Sequence, residues 1–154
     1  MADAAGGTAR ASAAREALFQ ERILEHYRRP RNREPLADAG VTLDWVNPLC
    51  GDELSLSLAL DGDRVRDLRL HARGCSLSVA AASMLTGLAR GRSREELDAI
   101  RARFDQLLAG DRTAADDPIL GDLGAFAGVA RVPARRRCAT LAFEALAEAM
   151  ARAR

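Results

Sequence analysis

Apolar residues recur at helical spacing between residues 12 and 29, where Leu18, Phe19, Ile23, Leu24 and Tyr27 share a stripe and Pro30 ends the run. This predicts an N-terminal helix, then a loop rich in Arg, Pro and Asn from 28 to 38, then an extended stretch from Val41 to Asn47. The period next becomes two. Leu54, Leu56, Leu58 and Leu60 alternate with Ser55, Ser57 and Ala59, the pattern of a strand with one buried face. Asp61-Gly62 signals a hairpin turn, and Val65 to Ala72 alternates again through Leu68, Leu70 and Ala72. Beyond Gly74 the helical period returns, with Leu77, Ala81, Met84, Leu85 and Leu88 on one face and Gly87 and Gly91 marking the end. Ser93-Arg94-Glu95-Glu96 has the form of a capping box and opens a helix carrying Leu97, Ile100, Phe104, Leu107 and Leu108. Residues 111 to 117 read as a loop, and the glycine-bearing stretch Ile119 to Val132 admits a short helix. From Pro133 a last helix places Cys138, Leu141, Ala142, Ala145, Leu146, Ala149 and Met150 on one stripe.

Strands first and helices afterwards predict an α+β domain, a small antiparallel three-stranded sheet with helices packed on one side. The 154 residues suit a single domain, with 12–154 as its folded part and the small, polar residues 1–11 as a disordered tail.

Charge and composition narrow the function classes. The chain has 23 basic and 22 acidic residues, a formal net charge of +1, so it lacks the broad basic footprint that a phosphate backbone demands. No nucleic-acid partner is expected, with Arg135-Arg136-Arg137 as the main local basic cluster. Every Lys/Arg position is arginine, which excludes chemistry built on a lysine amine. The N-terminal stretch has no apolar signal-peptide core, and no segment approaches the roughly 20 apolar residues of a membrane span, so no membrane partner is expected and a cytoplasmic location follows. Thiols stay reduced there, which argues against structural disulfides among Cys50, Cys75 and Cys138.

Cys138 falls on the apolar stripe of the last helix, where a reduced cysteine packs as a small hydrophobe. Cys75 sits at a strand-to-helix corner behind Gly74, where the free N–H groups of a helix start favour negative charge. Cys50 and Asp52 lie two residues apart in NPLCGDEL. In an extended segment they would stand about 7 Å apart on the same side and could grip one ion, with Gly51 leaving room between them. Turn chemistry is the plainer role for Asp52. Counted together, Cys50, Asp52, Cys75 and Cys138 supply the four ligands that tetrahedral zinc prefers, although the spacing is not that of a zinc finger. The histidines compete poorly: His71 shares the parity of Arg69 and Arg73 and faces solvent, and His26, near the end of the first helix, suits a surface role.

Four segments, ILEHYRRPRN (23–32), NPLCGD (47–52), GCSLSVAAASML (74–85) and RVPARRRCATLAFEAL (131–146), together resemble the IscU-like proteins of iron-sulfur cluster biogenesis. Within that family the chain is most similar to the SufU branch, the zinc-dependent sulfurtransferases. Scaffold members carry a histidine immediately before the third cysteine, where this chain has Arg137. SufU members also carry an insertion between the second and third cysteines, for which Ile119 to Val132 is the candidate.

The resemblance implies an IscU/SufU-like fold and zinc held by Cys50, Asp52, Cys75 and Cys138, with Cys50 as the acceptor of persulfide sulfur and Arg135 as an electrostatic support. It implies a cysteine desulfurase of SufS type as partner and a downstream iron-sulfur scaffold as recipient. A metal-bound thiolate is a blunted nucleophile, so docking of the desulfurase is expected to free Cys50. The alternative function is a scaffold that assembles a [2Fe-2S] cluster on the same ligands. Tyr27 and the loop Arg28 to Arg33 are candidates for partner contact, with an exposed polar loop as the simpler explanation.

Overall fold

The computed structural model describes residues 2–48 and 51–153. Helix α1 (Ala2–Arg28) leads into a sheet of β1 (Val41–Val46), β2 (Glu53–Asp61) and β3 (Arg64–Arg73), followed by α2 (Ser76–Ala89), α3 (Arg94–Leu108) and α4 (Arg136–Arg152). The sheet order is β1-β2-β3 and both pairings are antiparallel.

The leucine alternation becomes the inner face. Leu43 pairs with Leu56 and Trp45 with Leu54, while Leu56 pairs with Leu70 and Leu58 with Leu68, so one side of the sheet is a continuous apolar surface. Ser55, Arg69 and His71 point the other way, and His71 is half-buried opposite Ser55. Helix α2 covers β3 and α4 covers β1 and β2. The three-stranded sheet with helices on its apolar side is the architecture expected from the sequence. Because α2 is sandwiched by α1, α4 and the sheet, it is buried nearly all round, down to Ser78, Ser83 and Thr86. Phe104 of α3 anchors the far side of the core, edge-on to Phe126 (80° between ring planes) and tilted against Phe143, with centroids 5.6 and 5.4 Å away.

Several boundaries differ from the expectation. Helix α1 continues through residues 2–11, the stretch assigned to a disordered tail; alanine is the strongest helix former and carries the pattern beyond the apolar stripe. Residues 112–116, read as loop, form a 3₁₀ turn started by Asp111, whose carboxylate accepts the Thr113 N–H at 3.0 Å. The Pro118–Arg131 stretch forms short helical turns broken at Gly121, where φ is 50°. The capping box at Ser93 is half made: Ser93 Oγ accepts the Glu96 N–H at 3.2 Å, but Glu96 pairs with Arg64 rather than reaching back.

His26 is the largest correction. It is 3% exposed, with Nδ1 2.7 Å from Ser83 Oγ and Nε2 3.0 Å from Asp122 Oδ2, because the last turn of α1 faces α2 rather than solvent. The loop after α1 is likewise anchored: the Asn32 carbonyl accepts the Leu70 N–H at 3.0 Å, and its side chain donates to Thr86. Tyr27 is exposed.

Candidate metal centre

Antiparallel pairing gathers distant positions at one end of the sheet. Val46 pairs with Glu53 and Glu53 with Arg73, so the exit of β1, the entry to β2 and the exit of β3 lie side by side. Asp52 immediately precedes β2, and Gly74 and Cys75 immediately follow β3. Cys138 arrives from the first turn of α4.

The turn that delivers Asp52 is closed by two backbone hydrogen bonds, from Asn47 N–H to the Asp52 carbonyl and from Gly51 N–H to the Asn47 carbonyl, each 2.8 Å. Gly51 adopts φ +73°, a conformation that favours glycine. Gly51 is therefore not extended, in keeping with the turn chemistry that the sequence also offers for Asp52. Leu49 and Cys50 lie outside the described residues, and so does the expected role of Cys50 as ligand and sulfur acceptor.

One carboxylate oxygen of Asp52 and the sulfur atoms of Cys75 and Cys138 all lie within 4.8 Å of one another. Among the described residues, no other group of three histidine, cysteine or carboxylate side chains comes together in this way. Asp52 and Cys138 are buried and Cys75 is half-buried. A buried carboxylate beside two thiols is costly unless something offsets its charge. Two donors of this chain contribute: the Cys75 N–H reaches Oδ1 at 3.2 Å, and the Ser78 hydroxyl donates to Oδ2 at 2.5 Å.

Gly74 makes the approach possible. Its φ is +149°, and a Cβ there would fall 2.0 Å from Asp52 Oδ1. Cys75 occupies the N-cap position of α2 but makes no side-chain cap, so its sulfur is turned to the cluster and to Ser78 Oγ, 3.5 Å away. Two soft thiols and one hard oxygen, within reach of an ion whose bonds run about 2.0–2.3 Å, form a donor set suited to zinc.

The other predicted positions fall around the cluster. Arg135 is exposed at the start of α4, three residues before Cys138, and Arg137 is exposed beside it. Neither histidine joins the donors. Sequence reasoning missed Ser78. Its signal was position: it is the third residue of a helix capped by a candidate ligand, where a side chain lies over the helix start.

The fold and site define a small α+β domain with a candidate metal centre of two thiols and a carboxylate at one end of its sheet. The sequence pattern of the NifU-like N terminal domain family matches residues 18–152, and the chain belongs to that family. It is 39% identical over 138 residues to the zinc-dependent sulfurtransferase SufU of Bacillus subtilis, covering 89% of this chain and 92% of that one. It is also 36% identical over 135 residues to the iron-sulfur cluster assembly scaffold protein IscU of Streptococcus pyogenes, covering 88% and 84%. Among solved structures, one described as a hypothetical protein superposes with a TM-score of 0.77 at 34% identity, covering 87% of this chain and 97% of that one. The N-terminal part of a nitrogen-fixing NifU-like protein from Brucella abortus shares the fold, with a TM-score of 0.76 at 24% identity over 86% of this chain and 91% of that one.

Among the described residues, no helix is long and apolar enough to cross a membrane.

Proposed function

We propose that this protein is a zinc-dependent sulfur carrier that takes persulfide sulfur from a cysteine desulfurase of SufS type and passes it to an iron-sulfur scaffold. The convergence of Asp52, Cys75 and Cys138 within 4.8 Å carries the proposal. The 39% identity to a relative named as a zinc-dependent sulfurtransferase supports it. Asp52, Cys75 and Cys138 would hold the ion, with Cys50 as fourth ligand. When bound, zinc supplies charge that keeps thiols deprotonated at neutral pH and adds no redox chemistry of its own.

The transfer itself is carried by Cys50. Its thiolate attacks the outer sulfur of a persulfide on the partner's cysteine, the sulfur–sulfur bond breaks, and the partner's cysteine departs as a thiolate. Cys50 then holds the persulfide, and no external oxidant or reductant is consumed. The hydrogen bonds from Asn47 N–H to the Asp52 carbonyl and from Gly51 N–H to the Asn47 carbonyl tie together the residues on either side of Leu49 and Cys50. Arg135, exposed one turn before Cys138, draws the anionic persulfide toward the site. The chemistry suits a reducing compartment, in line with the cytoplasmic location expected from sequence.

The scaffold alternative draws on one observation, the 36% identity to a relative named as an assembly scaffold. Thiolates and a carboxylate hold iron as well as zinc. Metal analysis after anaerobic purification from cells supplied with both metals separates the two. About one zinc per chain is the result expected from a four-ligand site; iron with acid-labile sulfide would move the scaffold function to the front.

A further inference from the structure

Ser78 is 2% exposed, and its hydroxyl lies between two members of the cluster, 2.5 Å from Asp52 Oδ2 and 3.5 Å from Cys75 Sγ. A serine hydroxyl has one hydrogen to give. The distances give it to the carboxylate, the shorter and charge-assisted bond, and leave the Cys75 sulfur lone pairs free. Cys75 N–H takes the other carboxylate oxygen at 3.2 Å, and the empty Cβ position of Gly74 lets the group sit there. The Asp52 carboxylate is thus held at both oxygens, one of which lies within 4.8 Å of the Cys75 and Cys138 sulfurs.

We propose that Ser78 is a positioning residue for the metal centre: by hydrogen-bonding the Asp52 carboxylate it fixes the orientation of that group beside the Cys75 and Cys138 sulfurs, and so sets the affinity of the site for zinc. The inference rests on the zinc-site function argued above and adds a residue that touches no sulfur substrate and is not itself a ligand. Helix α2 makes the coupling rigid. Ser78 stands three residues after Cys75, so ligand and positioning group ride on one turn of one buried helix. Carboxylate ligands in metal sites are themselves held by hydrogen bonds, and loss of such a bond costs about 10–100-fold in metal affinity.

The test uses the full chain and zinc alone, with dissociation constants measured by competition against a chromophoric chelator. Ser78→Thr and Ser78→Val have nearly the same shape and differ in the hydroxyl, so any shared strain in the α2 core cancels between them. Ser78→Val is expected to bind zinc about 10–100-fold more weakly than Ser78→Thr, and Ser78→Ala to show the same loss against the parent chain. Equal zinc affinities for the Thr and Val variants overturn the inference while leaving the zinc site intact. A lower melting temperature of metal-free Ser78→Val with unchanged zinc affinity also overturns it, since the hydroxyl then serves the fold alone. A parent chain that takes up no zinc overturns both the inference and the function on which it rests.

Discussion

A Cβ atom placed on Gly74 would stand 2.0 Å from Oδ1 of Asp52, so the buried carboxylate occupies space that any other residue at position 74 would claim. Gly74 also holds φ +149°, which adds backbone strain to the clash. Gly74→Ala is therefore expected to destabilise the fold by about 1–3 kcal/mol and to weaken zinc binding in the same variant. Thermal unfolding and chelator competition read the two effects separately.

Cys138 is 8% exposed, and its sulfur belongs to the cluster as well as to the apolar stripe of α4. Cys138→Ala keeps a good helix former on that stripe and removes one thiolate. The expected outcome is a folded protein that loses zinc readily to a chelator, checked by circular dichroism and metal analysis of the same sample. Zinc affinity equal to that of the parent would remove Cys138 from the ligand set.

His26 joins α1 to α2 and to the 118–131 segment through Ser83 and Asp122. Replacing it with alanine removes one of the two partners of the buried Ser83 hydroxyl, the Arg31 N–H at 2.9 Å being the other, and opens a polar cavity. The expected loss is about 1–3 kcal/mol of stability, measured from the urea midpoint at constant slope.

Phe104 is fully buried and touches two aromatic rings. Phe104→Ala is expected to cost about 3–5 kcal/mol, the largest single loss among these variants, read from denaturant unfolding.

Asp67 ties β3 to the end of α2. Burial pushes its carboxyl upward, but hydrogen bonds from Arg69 and Arg90 outweigh that, and the net effect holds it below the ordinary carboxylate range. A carboxyl depressed in the folded state stabilises the fold above its unfolded value, near 3.9, and loses that contribution as pH falls through the lower folded value. The stability difference between the parent and Asp67→Asn is expected to be full at pH 7 and to shrink on acidification below about pH 4. Urea titrations across that range check the sign.

Much of the sheet was legible because Leu54, Leu56 and Leu58 repeat the same two-residue signal as Leu68 and Leu70, and both sets bury. Cys75 and Cys138 could be named as candidate ligands only by counting the donors together and by the family resemblance, since the apolar stripe of α4 by itself points Cys138 to the core. Around Asp52 the sequence offers two readings, an extended spacing and a turn; the positive φ of Gly51 and the bond from Asn47 N–H to the Asp52 carbonyl favour the turn. As a cation His26 suits an exposed helix end, but its position decides otherwise. It lies three residues after Ile23 and seven after Phe19, on the helix face that meets α2, and a polar residue can take that face when partners wait for it. Those partners, Ser83 and Asp122, come from segments 57 and 96 residues away, a distance no local pattern reports.

Sulfur acceptance at Cys50 is tested most directly by mass spectrometry of the chain after brief incubation with a SufS-type desulfurase and cysteine, without reductant. The expected result is the gain of one sulfur atom on the peptide containing Cys50, reversed by reductant and absent in Cys50→Ala. A gain of sulfur on Cys75 or Cys138 with Cys50 unmodified, or no gain while the desulfurase turns over, would contradict the assignment of this chain as a sulfur carrier acting through Cys50.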